Sequence, residues 1–172
     1  MSDPVEAYGN FRRPGVLFSG EYYYHLDAKN RLVVPGKIRE RINVQIEGSG
    51  WHLVPGFDGT ISMFTPARFE ELAARQKAEL FRLKDVRSYD RLHFGLSAQV
   101  EMDRLGRILV PEIMLRRAGI DKDLAIIGVR DHLEIWAKDR WDEFVRTNYA
   151  QYDDMASKAY ETERNDAREL PG

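Results

Sequence analysis

The chain has 172 residues, enough for one ordinary domain or two small ones. With 43% hydrophobic and 31% charged residues it groups with globular rather than disordered chains, and the lack of cysteine excludes a disulfide framework and a thiolate metal site. The net charge of −2 argues mildly against a nucleic-acid partner as a sum, so the distribution of charge matters more than the total.

The opening MSDPVEAYGNFRRPG has no apolar core, so no signal peptide is expected. It reads as an extension that either adds phosphate contacts through Arg12 and Arg13 or adds nothing. GEYYYHLD (20–27) is the first candidate strand. Asp27-x-x-x-Arg31 follows, with Asn30 just before the arginine. Asn enters positive φ readily, which predicts a tight turn there. Arg31 to Val34 then read as a short buried strand. Pro35 ends it and suits the start of a short helix with Ile38 and Ile42 facing inward. HLVPG and TISMF are two further strands. A helix opens at Thr65-Pro66, with Phe69, Leu72 and Ala73 at helical spacing. Residues 80–94 read as a helical link.

The series then begins again. SAQVEMD (97–103) is a strand, Asp103-x-x-x-Arg107 follows with Gly106 at the turn, and Arg107 to Val110 form a second short buried strand. Pro111 opens a helix with Leu115 and Ala118 inward and Gly119 as its stop. LAIIGV and HLEIW are strands, and a last helix opens near Asp139 with Trp141, Phe144 and Val145. The longest fully apolar run, Leu124 to Ile127, is four residues, against the roughly 20 that cross a membrane. Residues 151–172 carry three basic and six acidic residues without apolar periodicity, and read as a frayed or extended tail.

HLDAKNRLVVP (25–35) and EMDRLGRILVP (101–111) are thus one motif written twice, 76 residues apart. GTISMFTPARFEEL (59–72) matches DHLEIWAKDRWDEF (131–144) at a shift of 72, so the first copy carries four more residues, most naturally in the glycine-rich EGSGWHLVPG. Two copies are too few for a solenoid, and a unit of this size buries too little surface to be stable alone. They read as half-domains that cover each other. The expected division is an N-terminal extension 1–16, a first unit 17–68, a helical linker 69–95, a second unit 96–140, and a C-terminal helix with acidic tail 141–172.

Positive charge sits with the motif. Residues 27–41 carry five Lys/Arg against two acids, and residues 103–117 carry four against two. Three readings of Asp-x-x-x-Arg compete. A helical i,i+4 ion pair, worth about 0.2–0.5 kcal/mol, fits poorly beside β-like flanks with Asn or Gly inside. A salt bridge could simply pin the turn. Alternatively, Arg31 and Arg107 reach phosphates or guanine edges, which suit a planar guanidinium, and the aspartates orient them. The histidines His25, His52, His93 and His132 lack metal-ligand spacing, and no phosphate-binding loop or nucleophile set stands out. No enzyme activity, cofactor, metal or small-molecule substrate is expected. The three tryptophans, Trp51, Trp136 and Trp141, read as core.

Gly20-Glu21-Tyr22, Leu26-Asp27-Ala28-Lys29-x-Arg31-Leu32 with Pro35, Asp103-x-x-Gly106-Arg107-Ile108-Leu109-Val110-Pro111, Gly128-Val129 and Leu133-Glu134-Ile135-Trp136 together resemble the MraZ family of bacterial transcriptional regulators, built from two SpoVT/AbrB-type domains. The resemblance covers roughly residues 17–148. It implies a mainly β fold with short helices (α+β), in which two tandem half-units pair into a swapped-hairpin, β-barrel-like core with helices outside. It implies assembly into rings, binding to direct repeats in promoter DNA upstream of the division and cell-wall gene cluster, usually with repression, and a cytoplasmic, nucleoid-associated location. The family's DNA-contacting arginine falls on Arg31 and its counterpart on Arg107. Lys29 and Arg104 are carried as neighbouring DNA contacts, with Asp27, Asp103, Asn30 and Gly106 as motif support. The family usually has Gly where Asn30 stands; Asn tolerates the same turn. A different reading is an AbrB-like protein-interaction module such as an antitoxin, whose tail wraps a partner.

Overall fold

The computed structural model describes residues 15–75 and 84–169. Arg12 and Arg13 in the expected extension, residues 76–83 of the expected linker, and residues 170–172 lie outside the described residues. The elements are β1 (Glu21–His25), β2 (Arg31–Val33), α1 (Gly36–Arg39), α2 (Val44–Glu47), β3 (Trp51–Pro55), β4 (Ile61–Phe64), α3 (Pro66–Arg75), α4 (Lys84–Gly95), β5 (Ala98–Val100), β6 (Arg107–Leu109), α5 (Glu112–Ala118), β7 (Asp123–Val129), β8 (His132–Ala137), α6 (Lys138–Asn148) and α7 (Tyr152–Glu169). The chain divides into two compact units, one ending at Ala137 and one beginning at Lys138.

The first unit is built on strands with short helices, the expected α+β class. Six strands form one antiparallel sheet in the order β1-β7-β8-β4-β3-β5, and β2 and β6 form a separate two-stranded ribbon. The order is its own mirror under exchange of the two copies. β1 of the first copy pairs with β7 of the second, and β5 of the second pairs with β3 of the first. The pseudo-symmetry has two fixed points. Ser62 pairs with Glu134, its own equivalent at the shift of 72, and Leu32 pairs with Ile108, its own equivalent at the shift of 76. The copies therefore exchange strands. The sheet itself is open, with β1 and β5 as edges, so the barrel-like core is not closed.

Burial explains why these segments form strands. In β7, Leu124, Ala125, Ile126 and Ile127 are all buried, as a central strand covered on both faces requires. In the edge strand β1, burial alternates, with Tyr22 and Tyr24 packed on the core and Glu21, Tyr23 and His25 exposed. Leu32, Val34, Leu53, Met63, Ile108, Leu133 and Ile135 fill the shared core. Ile38, Leu115 and Ala118 are buried and Ile42 packs against the core, as the helical spacing predicts. Pro35 and Pro111 cap α1 and α5 at φ −52° and −58°, and Gly119 ends α5 in the left-handed region at φ 64°. The first copy's extra residues are taken up by the single turn of α2, followed by Gly48-Ser49-Gly50.

The second unit corrects two expectations. Residues 152–169 are one helix, not an extended tail. The segment YDDMASKAYETERNDARE is rich in good helix formers, and Asp153 and Asp154 favour its positive N-terminal dipole end. Tyr152, Met155, Ala156, Ala159 and Tyr160 also recur at helical spacing along it. Trp141 also departs from expectation. It lies half-exposed on α6, stacked on Phe144 with centroids 5.6 Å apart, whereas Trp51 and Trp136 are buried core residues.

A candidate nucleic-acid interface

Each copy folds its aspartate, turn and arginine alike. Asp27 Oδ1 accepts the backbone N–H groups of Lys29 (2.8 Å) and Arg31 (3.0 Å), and Oδ2 accepts Arg31 Nε at 2.7 Å. Asp103 Oδ1 accepts those of Leu105 (2.9 Å) and Arg107 (3.0 Å), and Oδ2 accepts Arg107 Nε at 2.8 Å. Backbone bonds close both turns: the N–H of Asn30 donates to Asp27 O at 3.0 Å, and that of Gly106 to Asp103 O at 2.9 Å. Asn30 and Gly106 stand at φ 57° and 75°, the predicted positive-φ positions. The helical ion-pair reading is thereby excluded, because the motif is a turn held by its aspartate.

This geometry fixes the charge of the aspartates. The Arg31 backbone N–H, then that of Lys29 and the Arg31 guanidinium, hold the Asp27 carboxyl at a pKa of about 2. Asp103 is lowered by the Arg107 guanidinium and by the backbone N–H groups of Arg107 and Leu105.

The ribbon then joins the two motifs. β2 and β6 pair antiparallel, with Arg31 opposite Leu109, Leu32 opposite Ile108 and Val33 opposite Arg107. Side chains alternate along a strand. Leu32 and Ile108 point into the core and are fully buried, so Arg31, Val33, Arg107 and Leu109 share the other face. Arg107 Nη2 lies 2.7 Å from Asp103 Oδ2, and its Nη1 lies 3.8 Å from Asp27 Oδ2. Two arginines and two aspartates from both copies thus form one formally neutral cluster. The excess positive charge lies around it. Lys29 and Arg104 are exposed at the turn tips, and neither makes an ion pair among the described residues. Lys37 and Arg39 are exposed on α1, and Arg116 and Arg117 on α5.

Arg39 was not singled out by the sequence. Its Nε donates to Val34 O at 3.1 Å, and its guanidinium lies against Gly106, where an added Cβ would come within 2.7 Å of Arg39 Cζ. The excess of base over acid in residues 27–41 was the available signal, but it could not say which cation crosses to the other copy.

A duplicated half-unit that exchanges strands with its twin, and carries two aspartate-anchored arginine turns on one ribbon, defines a class of two-copy, strand-swapped proteins. Comparison with known proteins narrows the class. The profile of a family described as "MraZ protein, putative antitoxin-like" matches residues 17–92 and again residues 94–165. A relative from Acetivibrio thermocellus named transcriptional regulator MraZ is 34% identical over 142 residues, covering 83% of this chain and 96% of its own. Relatives of the same name from Clostridium beijerinckii and Lactiplantibacillus plantarum are 35% identical over 142 residues (83% and 96% of the two chains) and 33% identical over 140 residues (81% and 96%). The chain belongs to the MraZ family. Among the described residues no helix is long and apolar enough to cross a membrane.

Proposed function

We propose that this chain is a DNA-binding transcription regulator rather than an enzyme, and that it meets duplex DNA with the ribbon face carrying Arg31 and Arg107. The observation that carries the reading is the convergence of both arginine turns on one outward face, each guanidinium oriented by its own aspartate. A pre-oriented guanidinium loses little freedom on contacting a phosphate or a guanine edge. Lys29 and Arg104 at the turn tips add phosphate contacts. The relatives' name, transcriptional regulator, supports the same reading.

One such face makes few contacts and binds weakly. In the reading implied by family membership, several copies assemble into a ring and engage direct repeats upstream of the division and cell-wall genes, repressing them from the nucleoid in the cytoplasm. Avidity then supplies the affinity that a neutral four-charge cluster does not. Each phosphate neutralised adds about 0.9 to the slope of log affinity against log salt for duplex DNA. Titrating salt against a labelled duplex from the region upstream of this gene is expected to give a steep slope. A flat response overturns the reading.

A second reading, a protein-interaction module of the antitoxin kind, draws on the family description and on the exposed Tyr149, Tyr152 and Tyr160 of the helical unit. Stable co-purification of a partner protein, lost when these tyrosines become serine, would favour it.

A further inference from the structure

We infer that Leu105 and Leu109 form an apolar reading element for the C5-methyl groups of thymine, so that the two copies of the motif meet different bases. The inference deepens the proposed DNA-binding reading and rests on it. Leu105 at the turn tip, Leu109 on β6 and Ile113 on α5 are all exposed, by 67%, 57% and 40%. At the shift of 76 their equivalents in the first copy are Lys29, Val33 and Lys37. A single exposed leucine is ordinary on a protein surface. Three apolar side chains along one copy's turn, strand and helix, where the other copy has two lysines, make a difference that the shared backbone does not need.

The fold holds both leucines in place. The Leu105 N–H donates to Asp103 Oδ1 at 2.9 Å, which pins the turn tip while the side chain stays in solvent. Leu109 pairs with Arg31 across the ribbon, so the two side chains are cross-strand neighbours on the face that also carries Arg107. The apolar element is thus continuous with the proposed DNA face. Its rim is cationic. Arg104 precedes Leu105, and Arg116 and Arg117 are exposed on α5, three and four residues beyond Ile113. An apolar centre with cations around it fits a groove floor flanked by phosphates. The major groove admits a two-stranded ribbon, and the thymine C5-methyl is the apolar group that base edges present there, whereas an arginine takes guanine O6 and N7. Leu109 beside Arg31 therefore suits a step in which a thymine methyl adjoins a guanine.

The test compares two labelled duplexes from the region upstream of this gene, one with thymine and one with deoxyuridine in its place, which lacks only the C5-methyl. Wild type and the double variant Leu105→Gln, Leu109→Gln are titrated with both at several salt concentrations, each with its assembly state checked. Wild type is expected to lose about fourfold in affinity per methyl contacted, the value of one buried methyl-sized group, with its salt slope unchanged. The double variant keeps every charge, so its slope is expected to match wild type, while its affinities for the two duplexes become equal. Equal binding of both duplexes by wild type, with a steep salt slope, overturns the inference and leaves the DNA-binding reading standing. An undiminished loss in the double variant assigns the methyl effect to duplex shape and also overturns the inference. A changed assembly state in the double variant places the leucines between copies of the chain, with the same consequence. A flat salt response in wild type overturns both readings.

Discussion

The turn at Asn30 and the turn at Gly106 share a backbone and differ at the tip. In both, one aspartate accepts two backbone N–H groups and an arginine Nε at nearly the same distances. Yet Ala28-Lys29 stands at one tip where Arg104-Leu105 stands at the other, and Leu105 and Leu109 are exposed by 67% and 57%. Lys37 on α1 likewise corresponds to Ile113 on α5, which is also exposed. The aspartate, the positive-φ residue and the arginine are what the backbone needs. The remaining positions are free to make one turn basic and the other partly apolar. A duplicated unit can thus keep one geometry while its two copies acquire different surfaces.

The deepest part of the comparison is the Leu32–Ile108 pair on the pseudo-symmetry axis. Ile108→Ala and Leu32→Ala are each expected to cost about 2–5 kcal/mol, since both side chains are fully buried. Chemical denaturation checks this. Similar losses would confirm that the copies share one core, and a loss confined to one variant would break the symmetry. A smaller effect is expected at the turn itself. Asn30→Val places a β-branched residue at φ 57° and is expected to cost about 1–2 kcal/mol, whereas Asn30→Gly keeps the turn without strain. Equal stability of the two variants would show that the turn relaxes to another backbone.

The smallest effect separates the α4 side of the first unit from its β7–β8 turn. His52 stacks on Phe69 at 4.3 Å, and His93 meets Phe94 edge-on at 5.1 Å. Burial lowers both pKa values below the ordinary 6.5, against the weaker pull of Glu70 and Asp90. Their neutral forms are favoured in the folded state, so this stability is complete above pH 6.5 and is lost as pH falls through the lowered values. His132 runs the other way. Burial opposes its charge, but Glu134 and Asp131 outweigh it and raise its pKa, so its contribution is present below pH 6.5 and is lost as pH rises. Unfolding followed from pH 7.5 to 5 is expected to show a steeper acid loss in His132→Gln and a shallower one in His93→Phe. The reverse order would contradict the assignment.

Much of this was legible in the chain. The repeated Asp-x-x-x-Arg with Asn or Gly before the arginine specified both turns, because few residues accept positive φ. Apolar alternation and the prolines located the strands and short helices. That the two copies cover each other followed from units too small to bury their own faces, whereas the exchange of strands was what the family resemblance implied. Other features depend on neighbours distant in sequence. The seat of Arg39 depends on the missing side chain of Gly106, and neither residue reveals the other along the chain. Trp141 looked like core because aromatic residues usually are, but it stays half-exposed and stacks on Phe144 of its own helix. α7 carries Tyr152, Met155, Ala156, Ala159 and Tyr160 at helical spacing, a short stripe masked by the many charges of the segment, and good helix formers with an acidic first turn support it.

The central claim is that the doubled motif reads DNA. Its most direct test is fluorescence anisotropy on duplex DNA from the region upstream of this gene, with wild type, Arg31→Ala, Arg107→Ala and the double variant. Each protein should first be shown to assemble as wild type does. The account predicts weaker binding for each single variant and loss of binding for the double variant. Wild-type binding by the double variant with assembly intact would make the arginines turn-pinning residues only, and would contradict the account.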